Sequence, residues 1–460
     1  MTVLEQDSLA AVEKMKARFA ELHPGSQRLY GRAKNTLAGG TSHNFRTSPP
    51  FPLYVKRGEG PLLWDVDGLE YVDYSMSGAS QLVGYADPRI VAAMAAYDAG
   101  RGGAVNSELE VDWGERIKEL YPSVDLVRFT GSGSDSSTLA FRLVRGYTGK
   151  EKILRFTRAY HGWHDHAAIG YAPHEHVPTG IPAGEGASIV TASLDGDLDE
   201  AARLLAGGDI AGMIVEPSGA GMGLNPLPYE KILTLRSLAR DAGVQFICDE
   251  NVTGFRWAPG GVQELVEIDP DITLLGKIAT AGFPGAICAG KAALMDQVAD
   301  GVRSAVGHSG TYNGHPVVAT AAIAMIDAVR DGGPQRAAQA FSDELKAALN
   351  GLLAELGIAG FAYGPSSIYW VYLHPADGAR LPIEPGVYDE DIVSPEMLSS
   401  IPLELIEALY CGLCNNGVTN TIFNGGFASS VHGPNELART VDAYRNVLTE
   451  LRDLGIVATA

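Results

Sequence analysis

The sequence predicts an α/β protein whose larger part is a mostly parallel, buried sheet flanked by helices. From about residue 85 to 325, helical patterns alternate with short continuous apolar runs that close on Gly or Asp, the pattern of strands buried on both faces. Beyond about 330 helices mix with isolated strands, which reads as a separate α+β part. At 460 residues the chain is long enough for two or three domains.

Residues 1–22 have the apolar spacing of an amphipathic helix. Gly39 to Phe51 is rich in Gly, Ser, Thr and Pro and reads as loop. Pro61–Tyr74 alternates apolar and polar residues around Asp67-Gly68, a hairpin signature. The buried strands are expected at Leu126–Thr130, Ile153–Phe156, Gly212–Val215, Val244–Cys248 and Ala286–Ala289. Pro316 opens an Ala-rich helix running to about Val329, a link to the second part. Further on, Ser367–Leu373 reads as a strand, Pro375–Pro395 as a loop and Leu403–Leu413 as a helix.

Hydrophobic residues are 46% and charged residues 20%, which excludes wholesale disorder. The 35 basic and 55 acidic residues give a net charge of −20. That disfavours a nucleic-acid partner, because phosphate backbones demand Lys/Arg surfaces. No apolar run reaches membrane-spanning length, and the N-terminus lacks the basic start and apolar core of a signal peptide. Cys248, Cys288, Cys411 and Cys414 are too few for a disulfide scaffold. Cys411-x-x-Cys414 has no second pair and reads as packing in a helix. A reduced, cytoplasmic setting is expected.

Three segments carry chemistry. Arg128 to Thr138 is a strand end followed by the Gly/Ser turn 131–134 and a helix. Such a turn offers free N–H groups and the hydroxyls of Ser132 and Ser134 to a phosphate; the plainer reading is a serine N-cap. Phe246 to Asn251 is an apolar strand delivering Asp249 and Glu250 at its C-terminal end, where ligands of open α/β sheets bind. Asp249 there can hold a ring-nitrogen proton or a metal, or simply serve a turn. Lys277 follows the apolar run from Ile272 and precedes a small-residue loop. A desolvated lysine suits Schiff-base chemistry, whereas a snorkelling lysine would do nothing. Phosphate cup, strand-end acid and downstream lysine, in that order, are what pyridoxal phosphate needs: an anchor, a partner for the pyridine nitrogen and an amine for the imine.

With these residues the chain resembles the class-III pyridoxal-phosphate aminotransferases, in the glutamate-1-semialdehyde aminomutase-like branch. The likeness runs from GGTSHNFR (39–46) and LLWDVDGLEYVDY (62–74) through GSGSDSSTLAFRLVRGYTGKEKILRF (131–156) and YHGWHD (160–165). It continues through VEPSGAGMG (215–223), CDENVTGFR (248–256), LLGKIATAGFPG (274–285) and GTYNGHP (310–316). The resemblance implies fold type I, with a large cofactor domain at 71–328 and a small domain built from 1–70 and 329–460. It also implies a homodimer with active sites at the interface. By the same resemblance Lys277 is the imine lysine, Asp249 pairs with the ring nitrogen, and Ser132, Gly133 and Ser134 hold the phosphate. Thr311 contacts the phosphate of the neighbouring subunit, Tyr160 stacks on the ring, and Glu216 lies near the cofactor. Arg46 falls where the aminomutases place the arginine that grips the substrate carboxylate, a task suited to a guanidinium fork. His161, His164 and His166 make HGWHDH, but this chemistry needs no metal, and none is expected.

Three departures from the pattern stand out. Asn251 replaces a usually aliphatic residue two after Asp249, so an amide is expected against the ring, bonding its oxygen or retuning its electronics. Gly78, in Met76–Gln81, stands where the aminomutases have a tryptophan, leaving room for a larger substrate. His315 replaces an asparagine. The implied activity is aminotransfer between a carboxylate-bearing amino acid (β-, aryl or D-configured) and a keto acid, by a ping-pong scheme in which Lys277 moves the proton. The rival readings are an aminomutase or racemase/epimerase using the same lysine, and a catalytically silent binding subunit.

Overall fold

The strands expected at 126–130, 153–156, 212–215, 244–248, 286–289 and 367–373 each form, with both ends within two residues of the expected positions. The computed structural model describes residues 6–100, 102–171, 177–376, 382–390, 392–421 and 424–459. Residues 1–5 of the expected first helix, and 377–381 and 391 of the expected loop, lie outside the described residues.

The chain divides into two compact units, Met1–Asp87 with Arg336–Ala460, and Pro88–Gln335. The first boundary falls at 87/88 rather than 70/71. The reason is strand pairing, seen once the strands are named in chain order. The first unit opens with β1 (Val55–Glu59), β2 (Leu62–Asp65) and β3 (Glu70–Asp73). The second unit holds β4 (Leu126–Thr130), β5 (Lys152–Phe156), β6 (Ile189–Ala192), β7 (Ile210–Val215), the short β8 (Asn225–Pro226), β9 (Gln245–Glu250), β10 (Ile272–Leu275) and β11 (Ala286–Gly290). The first unit resumes with β12 (Gly360–Tyr363), β13 (Ile368–Leu373), β14 (Val418–Thr419) and β15 (Gly425–Phe427). Strand β3 pairs with β2 across the Asp67-Gly68 turn and with β14 on its other side. Tyr74 O then accepts the N–H of Phe427, so residues up to 87 are sewn to the C-terminal half.

The first unit carries a four-stranded sheet, β1-β2-β3-β14, and a three-stranded one, β12-β13-β15. Helices Gln6–Leu22, Gly333–Leu356, Leu403–Asn415 and Pro434–Asp453 bring Val12, Met15, Leu349, Leu409 and Leu448 into one core with Val72 and Tyr369. The Gly39–Phe51 segment contains two single 3-10 turns, Ala38–Gly40 and Asn44–Arg46.

The second unit is built on a seven-stranded sheet, β4-β11-β10-β9-β7-β5-β6. Only β11 runs antiparallel to its neighbours. The C-terminal ends of the other six strands therefore share one edge, where ligands of such sheets bind. Helix Gly133–Thr148 covers one face, burying Leu139, Phe141, Leu143 and Val144 against Ile214, Ile247 and Leu274. Apolar burial of this kind contributes roughly 1.5–3 kcal/mol per large side chain. Among the described residues no helix is long and apolar enough to cross a membrane.

Candidate active site

The shared edge of the seven-stranded sheet gathers most of the residues singled out in the sequence. Beyond Thr130 the chain turns through Gly131 into helix Gly133–Thr148. Ser132 is its N-cap, with Oγ accepting the Asp135 N–H at 3.2 Å. The same hydroxyl donates to Asp135 Oδ2 at 2.9 Å, so its proton is already used. Among the described residues the N–H groups of Gly133 and Ser134 have no acceptor; they lie in the first turn, whose N–H groups lack intrahelical partners. Ser134 Oγ accepts the Trp163 N–H at 3.2 Å and keeps its own proton free. Ser132 thus caps the helix, and its neighbours leave donors open.

Strand β9 delivers Asp249, only 4% exposed. His161 Nδ1 donates to its Oδ2 at 2.7 Å. The Asn251 backbone and side-chain N–H groups donate to Oδ1 at 3.2 and 2.7 Å. Burial pushes the Asp249 pKa up, but the bond and field of His161 and the bonds from Asn251 overcome it and hold the carboxyl below its ordinary value. Burial pushes His161 down, with Arg155 adding to this. The ring is therefore neutral, with its Nδ1 proton on Asp249. Its Nε2 has no partner among the described residues.

The loop carrying Tyr160 and His161 is held from inside. Arg155, on β5 and 1% exposed, donates to the carbonyls of Ala159, Ala167 and Ile169. Ser137 Oγ donates to His161 O at 2.6 Å. Gly162 lies so close to the helix that a Cβ there would be 2.8 Å from Ser134 Oγ. Tyr160 is 38% exposed and meets Tyr171 edge-on, centroids 5.5 Å apart. Of the other two histidines of this segment, His164 bonds Ser137 Oγ at 3.0 Å and His166 pairs with Glu185 at 2.7 Å.

Two strand ends complete the cluster. Glu216 follows β7 and is buried. Its Oε1 accepts the Met222 N–H at 2.8 Å and the Ser218 hydroxyl at 3.1 Å, while Oε2 has no partner among the described residues. Burial, then the charge of Asp249, pushes its pKa up to about 8, so it is a neutral acid at pH 7. Lys277 stands two residues past β10, whose Leu274 is in register with Asp249. Its backbone is left-handed, φ 50°, a conformation costing about 1–3 kcal/mol outside glycine. The Gly282 N–H and the Thr280 hydroxyl hold it there by bonding Lys277 O at 3.0 and 3.1 Å. Burial pushes the Lys277 amine pKa down and Arg256 adds to this, while Asp249 and Glu216 oppose it.

Thr311 lies in the turn 310–314. With Tyr312, His308 and Arg142 it lines a cleft of about 370 Å³ that Gly131 and Asp135 also line. Arg46 and Gly78 belong to the other unit. The Arg46 guanidinium is exposed and donates to Ser42 Oγ at 3.0 Å. Gly78 sits at the exposed crest of a left-handed turn, Met76 to Ala79, with φ of 42, 52, 68 and 73°. Asp73 anchors that turn by accepting the N–H groups of Ser75 and Met76 and the Tyr85 hydroxyl.

Sequence reasoning missed the bond between His161 and Asp249, the Arg155 anchor and the neutral state of Glu216. The available signal was the His161 that follows Tyr160 in YHG. Nothing in the local pattern marked Arg155.

A family model described as "Aminotransferase class-III" matches residues 44–358. The glutamate-1-semialdehyde 2,1-aminomutase of Methanothermobacter thermautotrophicus is 32% identical over 437 residues, covering 93% of this chain and 100% of that one. An omega-transaminase from Sphaerobacter thermophilus superposes with a TM-score of 0.83 at 26% identity, over 93% and 98% of the chains. A β-phenylalanine aminotransferase from Variovorax paradoxus has a TM-score of 0.83 at 25% identity, over 98% and 99%.

Proposed function

The chain belongs to the class-III aminotransferase family, and from that premise we propose that it is an aminomutase, relocating an amino group within a carboxylate-bearing small molecule. The family's cofactor is pyridoxal 5'-phosphate, and the donor set present fits that group. One observation carries this most strongly: Lys277, its amine pKa lowered by burial, stands beside ionised Asp249 and neutral Glu216. The open N–H groups of Gly133 and Ser134, and the unpartnered Glu216 Oε2, add to the fit.

When bound, the cofactor supplies an aldehyde that takes up an amine and a ring that draws electrons from the neighbouring carbon. Lys277 accepts a proton at Nζ from one carbon and returns it at the next, a task for which a lowered pKa equips it. Asp249 keeps the ring nitrogen protonated, and His161 holds the carboxylate in place. Gly133, Ser134 and the positive end of their helix bind the phosphate; Ser132 shapes the turn as its cap. Tyr160 would face the ring, and Glu216 would offer it an O–H donor. Thr311 serves the phosphate of a second copy in a homodimer, Arg46 grips the substrate carboxylate, and Gly78 leaves room beside it. Four free, buried cysteines support a cytoplasmic setting.

The mutase reading is supported by relatives of that name aligned along 93% of this chain. Transfer to an external keto acid is the second reading. Gly78 in place of a tryptophan favours it, as do the transaminase names of the two superposed structures. Visible spectra of the purified protein with a panel of amino acids, without acceptor, separate the two. Conversion of the cofactor to its amine form with release of a keto product establishes transfer. A persistent aldehyde-form band while the substrate isomerises marks a mutase or a racemase/epimerase. Absence of any band after adding cofactor refutes both.

A further inference from the structure

Asn251 stands where three elements meet. Its side-chain and backbone N–H groups both end on Asp249 Oδ1, at 2.7 and 3.2 Å. Its own Oδ1 is pressed against Gly276, where a Cβ would lie 2.4 Å from it, and against Gly133, where a Cβ would lie at 3.1 Å. Gly276 has extended backbone, φ −158°, which any residue adopts; the close amide is what calls for glycine there. Wedged between two glycines, the amide oxygen has little freedom, and Nδ2 stays aimed at the carboxylate.

A carboxylate loses proton affinity with each donor it accepts. Asp249 already accepts two at Oδ1 from Asn251 and one at Oδ2 from His161. We propose that Asn251 is a positioning residue acting through Asp249: its amide fixes the tilt of the carboxylate and loosens its grip on the ring-nitrogen proton of the cofactor. The consequence is a ring that draws electrons less strongly than an aliphatic residue at 251 would allow. This rests on the pyridoxal-phosphate reading above. The titratable groups that bear on Asp249 are His161 and Tyr160 from the loop after β5, Glu216 after β7, Cys248 on β9 and Lys277 after β10.

The test uses the full-length protein stripped of cofactor and reloaded with pyridoxal 5'-phosphate carrying ¹⁵N in the ring. The ring-nitrogen NMR shift is followed from pH 6 to 10. Asn251→Val is expected to keep the ring proton to a pH about one unit higher than the parent, the scale of one hydrogen bond to an ion. Gly276→Ala, which displaces the amide without deleting it, is expected to move the titration the same way by less. It keeps the test alive should Asn251→Val fail to fold. Titrations identical in parent and variants, or shifted to lower pH, overturn the proposal. A parent protein that leaves the labelled cofactor with its free-solution signal overturns the cofactor reading, and this proposal with it.

Discussion

Glu216→Gln is expected to remove a pH-dependent loss of stability from the cofactor-free protein. The Glu216 carboxyl is 5% exposed, and burial followed by the charge of Asp249 pushes its pKa from 4.5 to about 8. Between those two values the folded chain keeps a proton that the unfolded chain has released. Stability therefore falls as pH rises through this window, and the loss is complete above about 8. Its full size is roughly 5 kcal/mol, at about 1.4 kcal/mol per pH unit, an upper value because the chain relaxes around the ion. Glutamine retains the oxygen that accepts the Met222 N–H and the Ser218 hydroxyl. At pH 5 the variant should lie within about 1 kcal/mol of the parent, and at pH 9 it should be the more stable protein. Urea unfolding followed by tryptophan fluorescence from pH 5 to 9 measures both curves, and their difference removes the other titrating groups. Parallel curves across the whole range would refute the reasoning.

Lys277→Ala is expected to lower turnover by at least about 10³-fold, and turnover at the parental rate would end the proposed mechanism. Lys277→Gly should be the more stable of the two variants by about 1 kcal/mol in thermal melts, because glycine adopts the φ of 50° without strain. Arg155→Met strands three carbonyls and should cost at least about 3 kcal/mol. It should also open the 159–169 loop to limited proteolysis, and an unchanged digestion pattern would count against its anchoring role. Arg46→Ala should raise KM for carboxylated substrates far more than for plain amines; equal effects on both would remove it from the site.

The sheet was legible because its strands are continuous apolar runs between turn signals. Leu126–Thr130 falls where expected, and Ala286–Ala289 is one residue short of β11. At β9 the expected strand stopped at Cys248, whereas the ladder runs on to Glu250. The two acids looked like a terminus, but Glu250 is satisfied by Thr253, Val262 and Gln263 within the core. The order of Ser132–Ser134, Asp249 and Lys277 was readable because each sits at a strand end. The contact from His161 to Asp249 spans 88 residues and leaves no trace in local periodicity. The first domain boundary shifted for a similar reason: β3 pairs with β14, some 350 residues away, and no local pattern reports a long-range ladder. At Asn251 the expectation was an amide against the ring, bonding its oxygen or retuning its electronics; Nδ2 donates one of its two protons to Asp249 Oδ1.

Strand β11 lies between β4 and β10 in the sheet, although it is the last of the seven to be synthesised. Until Gly290 has been made, β4 has no strand to pair with, and the turn at 131–134 is tied to the sheet through helix Gly133–Thr148, whose Leu139, Phe141, Leu143 and Val144 pack with Ile214, Ile247 and Leu274. A nascent chain can thus complete every other strand of the sheet before the strand that leads into that turn is paired. Five residues, Ala286–Gly290, close that gap in the sheet, and none of them contributes a polar side chain to the site.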